Sequence, residues 1–287
     1  MISINGCKTE EMRYSLAHDY ERLCEYLDHI ASKYSEVSIS SIGATAEGRM
    51  IPVVRLGSGE RGNVYVGGME ACDILTPAVL LRFICDYVDF YTSGRRMYGI
   101  NMQYLWKNRT IHIVPMLNPD GYIIKRNGAD GCIMCERLKR LNLNDGYSED
   151  DYSHWKYNAC GKNVTHSFVG NVGTLESEVL KNYIEYYSDT LDSVLDIGAD
   201  CGILYSSDKN TPVRAKTVAR LLSRMSGYQI STDNSGNRIS DYVITELGKN
   251  AYHIGCLDDG ESLPTSGEDY IKVYAALREA LFSCPLL

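Results

Sequence analysis

Two acidic residues that lie three positions apart are the first candidates for chemistry in this sequence. Glu70 and Asp73 follow the stretch VYVGG, in which a short apolar strand runs into two glycines. Catalytic zinc usually takes imidazole nitrogen among its three protein ligands, whereas carboxylates alone suit Mg²⁺ or Ca²⁺ with about six to eight oxygens. The pair therefore predicts at most a weak divalent cation site. The alternative is that both acids are solvated and favoured by the N-terminus of the following helix.

The bulk properties of the chain exclude several classes of protein. The 287 residues carry a net charge of −8, which argues against a general binder of nucleic acid or anionic membranes. No run of 18 apolar residues exists, so no membrane span is predicted. The first residues, MISINGCKTEEMRYS, lack the pattern of a signal peptide. We therefore expect a cytoplasmic protein without nucleic-acid or membrane partners.

Hydrophobic periodicity predicts helices that alternate with strands along the whole chain. The predicted helices are 11–33, 76–91, 174–188, 212–226 and 267–283. The predicted strands are 37–42, 51–56, 63–67, 110–117, 193–197, 203–205 and 250–255, with a turn at NPDG after the fourth. This alternation indicates one α/β domain over 1–287 whose sheet is covered on both faces. Within it, 1–13 is predicted to be an N-terminal arm and 125–172 a long loop region of the kind that carries active sites.

Four stretches in the right order resemble one known family. They are SIGATAEGRMIPVVRLG, VPMLNPDGY, SHWKYNACGKNVTHSF and GTLESEVLKNYI. The chain is similar to the zinc carboxypeptidases (carboxypeptidase A-like metallopeptidases) from about Tyr14 to its end. It most resembles the bacterial branch that cleaves γ-D-glutamyl-diaminopimelate peptides of the cell wall. The resemblance implies a central mixed, largely parallel twisted sheet flanked by helices on both faces.

The family's metal and catalytic positions can be placed on this sequence. The family holds zinc with H-x-x-E after one strand and a single His after a later strand. Those ligand positions fall on Glu70, Asp73 and Gly198, the last within VLDIGADCGILY. The family's catalytic Glu falls on Gly255, within YHIGCL. None of these four positions keeps the residue that the family uses.

The positions that bind substrate in the family are also substituted. The Asn-Arg pair that holds the terminal carboxylate of the substrate falls on Thr165 and His166, and the Arg that polarises the scissile carbonyl falls on His154. Histidine is mostly neutral at pH 7 and lacks the forked donors of arginine, so bidentate binding of a carboxylate is lost. We expect His154, Thr165 and His166 to line the cleft and bind an anionic peptide end weakly.

These substitutions predict a catalytically inactive member of the family. Glycine at position 198 has no side chain to ligate zinc, and glycine at 255 cannot act as a general base. We expect no cofactor, although zinc is the cofactor of the family, and a weak cation at Glu70 and Asp73 is the one metal considered. The predicted role is to bind peptides or peptidoglycan fragments in a retained cleft.

Three alternatives stay open at the level of sequence. An active zinc peptidase would need recruited ligands, for which the nitrogen donors are His112, His154, His166 and His253. A new thiolate–carboxylate site would use Cys72, Cys201 and Cys256 with Glu70 or Asp73, if their side chains converge. A non-enzymatic protein that pairs with an active relative is the third alternative, and the oligomeric state is not readable.

Overall fold

One β-sheet with helices on both faces organises the chain in the computed structural model, which describes residues 19–171, 173–206, 208–233, 237–257 and 267–287. The helices are α1 (Tyr20–Lys33), α2 (Leu75–Thr92), α3 (Met102–Asn108), α4 (Pro119–Asn127), α5 (Cys135–Asn144), α6 (Leu175–Tyr186), α7 (Ala215–Ser226), α8 (Ile239–Leu247) and α9 (Gly267–Ser283). The strands are β1 (Ser38–Ala44), β2 (Met50–Gly57), β3 (Gly62–Val66), β4 (Arg96–Met97), β5 (Ile100–Asn101), β6 (Thr110–Val114), β7 (Leu191–Ser206), β8 (Ile230–Asp233) and β9 (Asn250–Leu257). A 3₁₀ turn, Cys284–Leu286, follows α9.

The main sheet is mixed, as the family resemblance implies. Its path is β1-β2-β6-β3-β7-β8, and β9 also pairs with β7; β4 and β5 form a separate hairpin. The first two pairings of the path are antiparallel, while β3 runs parallel to both β6 and β7. The strand β7 folds back on itself. Its first half pairs with β9 in parallel, from Ser193–Asn250 to Gly198–Gly255. Its second half pairs with the same residues of β9 in the reverse order, from Gly202–Gly255 to Leu204–His253. The two strands predicted at 193–197 and 203–205 are therefore the two halves of β7.

Two hydrophobic clusters cover the two faces of the sheet. Adjacent residues of β2 contribute to different clusters, Val54 to one and Val53 to the other, as expected where successive side chains point to opposite faces. The cluster of Val54 also contains buried residues of α1, α2, α3, α7 and α9, and that of Val53 contains buried residues of α6 and α8. The predicted single α/β domain with helices on both faces is confirmed.

A buried carboxylate joins the NPDG stretch to the turn that precedes β2. Asp120, in the NPDG sequence, is fully buried. It accepts hydrogen bonds from the Thr45 hydroxyl at 2.8 Å, the Glu47 backbone N–H at 3.0 Å and the Arg49 guanidinium at 2.8 Å. The turn that contains GATAEGR is thereby fixed to the start of α4. Because a buried charge is stable only when it is paired and hydrogen-bonded, this cluster fixes the arrangement of the two segments.

Several local predictions differ from the structure. NPDG does not form an isolated turn: Asn118 caps α4, accepting a hydrogen bond from the Gly121 N–H, and Pro119 occupies the first helical turn. The predicted loop region 125–172 contains the ten-residue helix α5. The short helices α3 and α8 and the strand β8 were not predicted. The predicted arm 1–13 and the first part of the 11–33 helix lie outside the described residues.

None of the helices in the described part of the chain is both long and apolar enough to cross a membrane.

Candidate functional site

Three adjacent parallel strand segments end at one cavity, which we call the strand-end cavity. The segments are β3, the first half of β7 and β9, which pair in that order. The cavity has a volume of about 270 Å³. Its lining comes from the ends of these strands and from nearby loops: Met69, Glu70, Cys72, Asp73, Thr165, His166, Asp196, Ile197, Gly198, Arg238 and His253. In α/β sheets, ligands bind at this end of the sheet, outside the carboxyl ends of the strands.

Two glycines let the chain leave β3 and turn over the cavity. Gly68 has a positive φ of 63°, and a Cβ there would lie 2.8 Å from the Cα of Met116. Side-chain and backbone groups near α4 then hold the loop that follows. The Asn118 amide donates to the Met69 carbonyl at 3.0 Å, and the Tyr122 hydroxyl donates to the Asp73 carbonyl. The loop that carries both acids is therefore positioned by the NPDGY stretch.

Asp73 is used to cap helix α2. Its side chain is buried; Oδ1 accepts hydrogen bonds from the N–H groups of Leu75 and Thr76, both at 3.1 Å. Oδ2 accepts from the Thr76 hydroxyl at 2.6 Å. Burial raises the pKa of Asp73 to about 7, and the charge of Glu70 acts in the same direction. The expected preference for the start of this helix is confirmed, whereas the expectation that Asp73 is solvated was wrong.

Glu70 is the more accessible of the two acids. Its carboxylate lies 3.5 Å from the amide nitrogen of Asn163 and 3.8 Å from the thiol of Cys72. Burial raises the pKa of Cys72 to about 12, with the charges of Glu70 and Asp73 contributing. The Cys72 sulfur is therefore a thiol, not a thiolate, at neutral pH. Glu70 is left as a partly exposed anion at the wall of the cavity.

The two positions that the resemblance assigns to the family's third ligand and its catalytic Glu lie side by side. Gly198 on β7 is the register partner of Gly255 on β9. Neither residue has a side chain that can ligate a metal or accept a proton. The strand ends are therefore adjacent at these two positions, and neither position offers a functional side chain.

The residues present do not fit a catalytic zinc ion. Such an ion needs three protein ligands and an open position for water. Of the three positions that the resemblance assigns to the ligands, Gly198 offers no donor, and both oxygens of Asp73 are occupied by the first turn of α2. Among the residues that the structure describes, no group of three or more His, Cys, Asp or Glu side chains is arranged to hold a metal ion. No catalytic step through zinc is therefore derived for this site.

The predicted substrate-binding residues divide into two groups. Thr165 and His166 line the strand-end cavity, Thr165 buried and His166 exposed. His154 is exposed and lies outside this lining, where its ring stacks on Tyr147 with the centroids 4.5 Å apart. The structure therefore brings Thr165 and His166 together with Glu70 and Asp73, and it places His154 elsewhere.

Two cavity residues, Asp196 and Arg238, were not identified from the sequence, and His253 was considered for the site only as a recruited zinc ligand. Asp196 and His253 are buried, and Nδ1 of His253 lies 3.0 Å from Oδ2 of Asp196, although this contact lacks hydrogen-bond alignment. A guanidinium nitrogen of Arg238 lies 3.4 Å from the same Nδ1. His253 was interpreted as a core or second-face residue. The available signal was polar residues at matching places in two apolar strands, Asp196 in VLDI and His253 in YHI.

The structure brings some of the histidines and cysteines considered for a new metal site to the strand-end cavity and places others elsewhere. His166 and His253 line the cavity, whereas the Nδ1 of His112 contacts the Tyr183 hydroxyl at 2.6 Å. Cys72 lines the cavity, but Cys256 is buried in the cluster that contains Val54. The side chain of Cys201 lies outside the described residues.

The sheet and the cavity at its edge define the class of protein. The carboxypeptidase A of Helicoverpa armigera has a similar structure, with a TM-score of 0.67 and 16% identity over 97% of this chain and 77% of that one. Bovine thrombin-activatable fibrinolysis inhibitor in complex with tick carboxypeptidase inhibitor gives the same TM-score at 13% identity, over 93% of this chain and 99% of that one. The chain has the metallocarboxypeptidase fold.

Sequence similarity gives the family. The zinc carboxypeptidase family profile matches residues 23–179, over half of the chain, so the protein belongs to the zinc carboxypeptidase family. One relative is the gamma-D-glutamyl-L-diamino acid endopeptidase 1 of Lysinibacillus sphaericus. It is 22% identical over 276 residues, which cover 88% of this chain and 69% of that protein.

Proposed function

We propose that this protein binds the end of a short peptide in the strand-end cavity and does not hydrolyse it with zinc. The observation that carries the proposal is the pairing of Gly198 with Gly255 at the edge of the sheet. One position would supply the last zinc ligand and the other the general base, and both lack a side chain. Without zinc, a water molecule keeps a pKa far above neutral pH, whereas zinc lowers it to about 7, so the nucleophile is not formed.

The charges around the cavity support a zwitterionic ligand. Glu70 offers a partly exposed carboxylate, whereas Arg238 and His166 offer a guanidinium and an imidazole on the same lining. A ligand with an ammonium and a carboxylate would match both signs of charge. The relative from Lysinibacillus is named for γ-D-glutamyl-L-diamino acid substrates. A diamino acid residue at a peptide end carries both groups, so we favour a peptide of this type, including fragments of peptidoglycan.

The experiment combines metal analysis, calorimetry and a hydrolysis assay on one purified sample. The protein is washed with chelator, supplied with zinc and analysed for bound metal. It is then titrated with a γ-D-glutamyl-diamino acid peptide, and long incubations are examined by mass spectrometry for cleavage. An active bacterial relative serves as the positive control. We expect zinc far below one ion per chain, measurable heat of peptide binding, and an intact peptide.

Two results would contradict the proposal in different ways. One tightly held zinc per chain together with cleavage would establish the alternative, an active metallopeptidase with recruited ligands such as His166 and His253, both of which line the cavity. Loss of that zinc on His253→Gln would identify a recruited ligand. Absence of both cleavage and binding heat would refute the peptide-binding role and favour the non-enzymatic partner protein.

A further inference from the structure

A second cavity lies at the opposite ends of the same strands, and we call it the strand-start cavity. It is lined by Arg61 and Asn63 at the start of β3, Ser193 at the start of β7, and Asn250 at the start of β9. The same three strands therefore carry the strand-end cavity at their carboxyl ends and this one at their amino ends. Its volume is about 400 Å³, within the range of roughly 300 to 1,000 Å³ of small-molecule sites.

The lining is basic although the chain is acidic. Arg61, Arg109, Arg214 and Lys249 lie around the cavity, and among the described side chains that line it Asp192 is the one acid. The whole chain has a net charge of −8, so this concentration of positive charge is a local feature. Such a concentration in a concave site attracts anions.

Part of this charge is fixed in place by the surrounding structure. Arg61 is paired with Asp192, and the Arg109 Nε donates to the Pro285 carbonyl at 2.7 Å. Arg214 donates to the Leu287 carbonyl at 2.8 Å, which places the 3₁₀ turn against the cavity as a wall. Lys249 is half-buried at the rim. Three of the four cations are therefore anchored at the wall of the cavity by neighbouring groups.

The walls also carry buried polar atoms without a partner among the described residues. Asn63 is 1% exposed; its amide nitrogen donates to the Ser193 hydroxyl at 2.7 Å, but its Oδ1 is unpaired. The Tyr252 hydroxyl and the Asn250 Oδ1 are likewise buried and unpaired. Tyr252 is 0% exposed. Buried amide oxygens need donors, and leaving them unsatisfied is costly.

We propose that the strand-start cavity binds a small oxyanion that also carries hydroxyl groups. The cationic lining holds the anionic group, while the ligand's hydroxyls donate to the oxygens of Asn63 and Asn250. The Tyr252 hydroxyl donates to the ligand, since burial raises the pKa of this phenol far above its ordinary value and keeps it protonated. Two classes of small molecule carry both an oxyanion and hydroxyl groups: hydroxylated phosphate esters and hydroxy acids. The test distinguishes between them.

The test is calorimetry on the full chain with four probes. Glycerol 3-phosphate and glycerate represent the two sources, inorganic phosphate lacks the carbon-bound hydroxyls, and glycerol lacks the charge. We expect one of the first two to bind more tightly than phosphate and glycerol. Tyr252→Phe should weaken its binding about fivefold, the usual size of one hydrogen bond. Lys249→Gln should weaken it by a similar factor and reduce its dependence on salt.

A matched variant removes the same charge elsewhere. Lys107→Gln changes an exposed residue of α3 that does not line the cavity, and it should leave binding unchanged. Thermal unfolding of each variant confirms that it is folded. The proposal is overturned when neither hydroxylated anion binds more tightly than phosphate and glycerol, or when both cavity variants bind as the original protein does. Peptide binding in the strand-end cavity is measured separately, so failure of either proposal can be told from failure of the other.

Discussion

Gly198 and Gly255 are register partners in adjacent parallel segments of the sheet, where the first half of β7 and the strand β9 end beside β3. The family resemblance assigns Gly198 to the third zinc ligand and Gly255 to the catalytic Glu, and the predictions below test that assignment. Introducing a metal-binding side chain at one of these two glycines is a direct test.

Gly198→His should raise the affinity for zinc, because it adds an imidazole beside Glu70 and opposite a residue without a side chain. We expect a gain of at least the roughly tenfold that an outer-sphere partner is worth. Titration with a competing zinc chelator measures it. Gly198→Ala is the control for backbone effects, and an equal gain in both variants would contradict the prediction. Peptide hydrolysis should stay absent, because Gly255 still provides no base.

Glu70→Gln should weaken binding of a peptide that ends in a diamino acid. The exposed carboxylate is the group proposed to meet the ligand's ammonium, and an amide of the same shape removes that charge. Binding of a matched peptide ending in alanine should hardly change, so the ratio of the two dissociation constants is the measurement. Glu60→Gln, an exposed acid outside the cavity, is the control. Equal losses for both peptides would show that Glu70 acts on the fold and not on the ammonium.

Much of the fold could be read from the sequence because its strands are short apolar runs. The predicted strands 63–67, 193–197 and 250–255 correspond to β3, the first half of β7 and most of β9. Helix α8 and strand β8 were not predicted. At NPDG, asparagine and proline signal a turn and a helix start equally well, and the capping role of Asn118 decided the outcome.

The candidate site was predictable only where family positions marked it. Glu70 and His166, which the family positions marked, both line the strand-end cavity. Asp196 was missed and its contact with His253 was not predicted, because the contact joins residues 57 positions apart and only one polar residue in each apolar strand marks it. Asp73 was identified but its environment was not, since burial under α4 depends on packing that the local sequence does not show.

Asp73→Asn should change how stability depends on pH. The folded protein raises the pKa of Asp73 from 3.8 to about 7, so between these values the folded state holds a proton that the unfolded state has released. The contribution of Asp73 to the free energy of unfolding therefore falls as pH rises through this window, by about 1.4 kcal/mol per pKa unit. The Asn variant lacks this titration, so urea unfolding of both proteins from pH 4 to 8 isolates it. A stability difference that is constant with pH would refute it.

Asp120→Ala should destabilise the protein by about 3 kcal/mol, the cost of removing one partner from a buried ion pair. The variant leaves the Arg49 guanidinium, the Thr45 hydroxyl and the Glu47 N–H without their acceptor. Urea unfolding measures the loss. Asp130→Ala is the matched control, because its ion pair with Lys139 is exposed on the acid side and should matter little. Similar losses in the two variants would show that the Asp120 cluster does not hold the turn to α4.

His112→Gln should make stability less sensitive to acid. The effect of His112 has the opposite sign to that of Asp73, because the folded protein lowers its pKa instead of raising it. Burial, together with the charge of Arg55, lowers the pKa of His112 from 6.5 to about 4. Between these values the unfolded state binds a proton that the folded state excludes, so the contribution of His112 to stability is lost as pH falls through this window. Glutamine does not titrate, and it can still hydrogen-bond to the Tyr183 hydroxyl that His112 contacts. Urea unfolding at pH 7, 6, 5 and 4 should therefore show the original protein losing stability faster than the variant. Parallel losses would mean that the imidazole is accessible enough to take up a proton in the folded state.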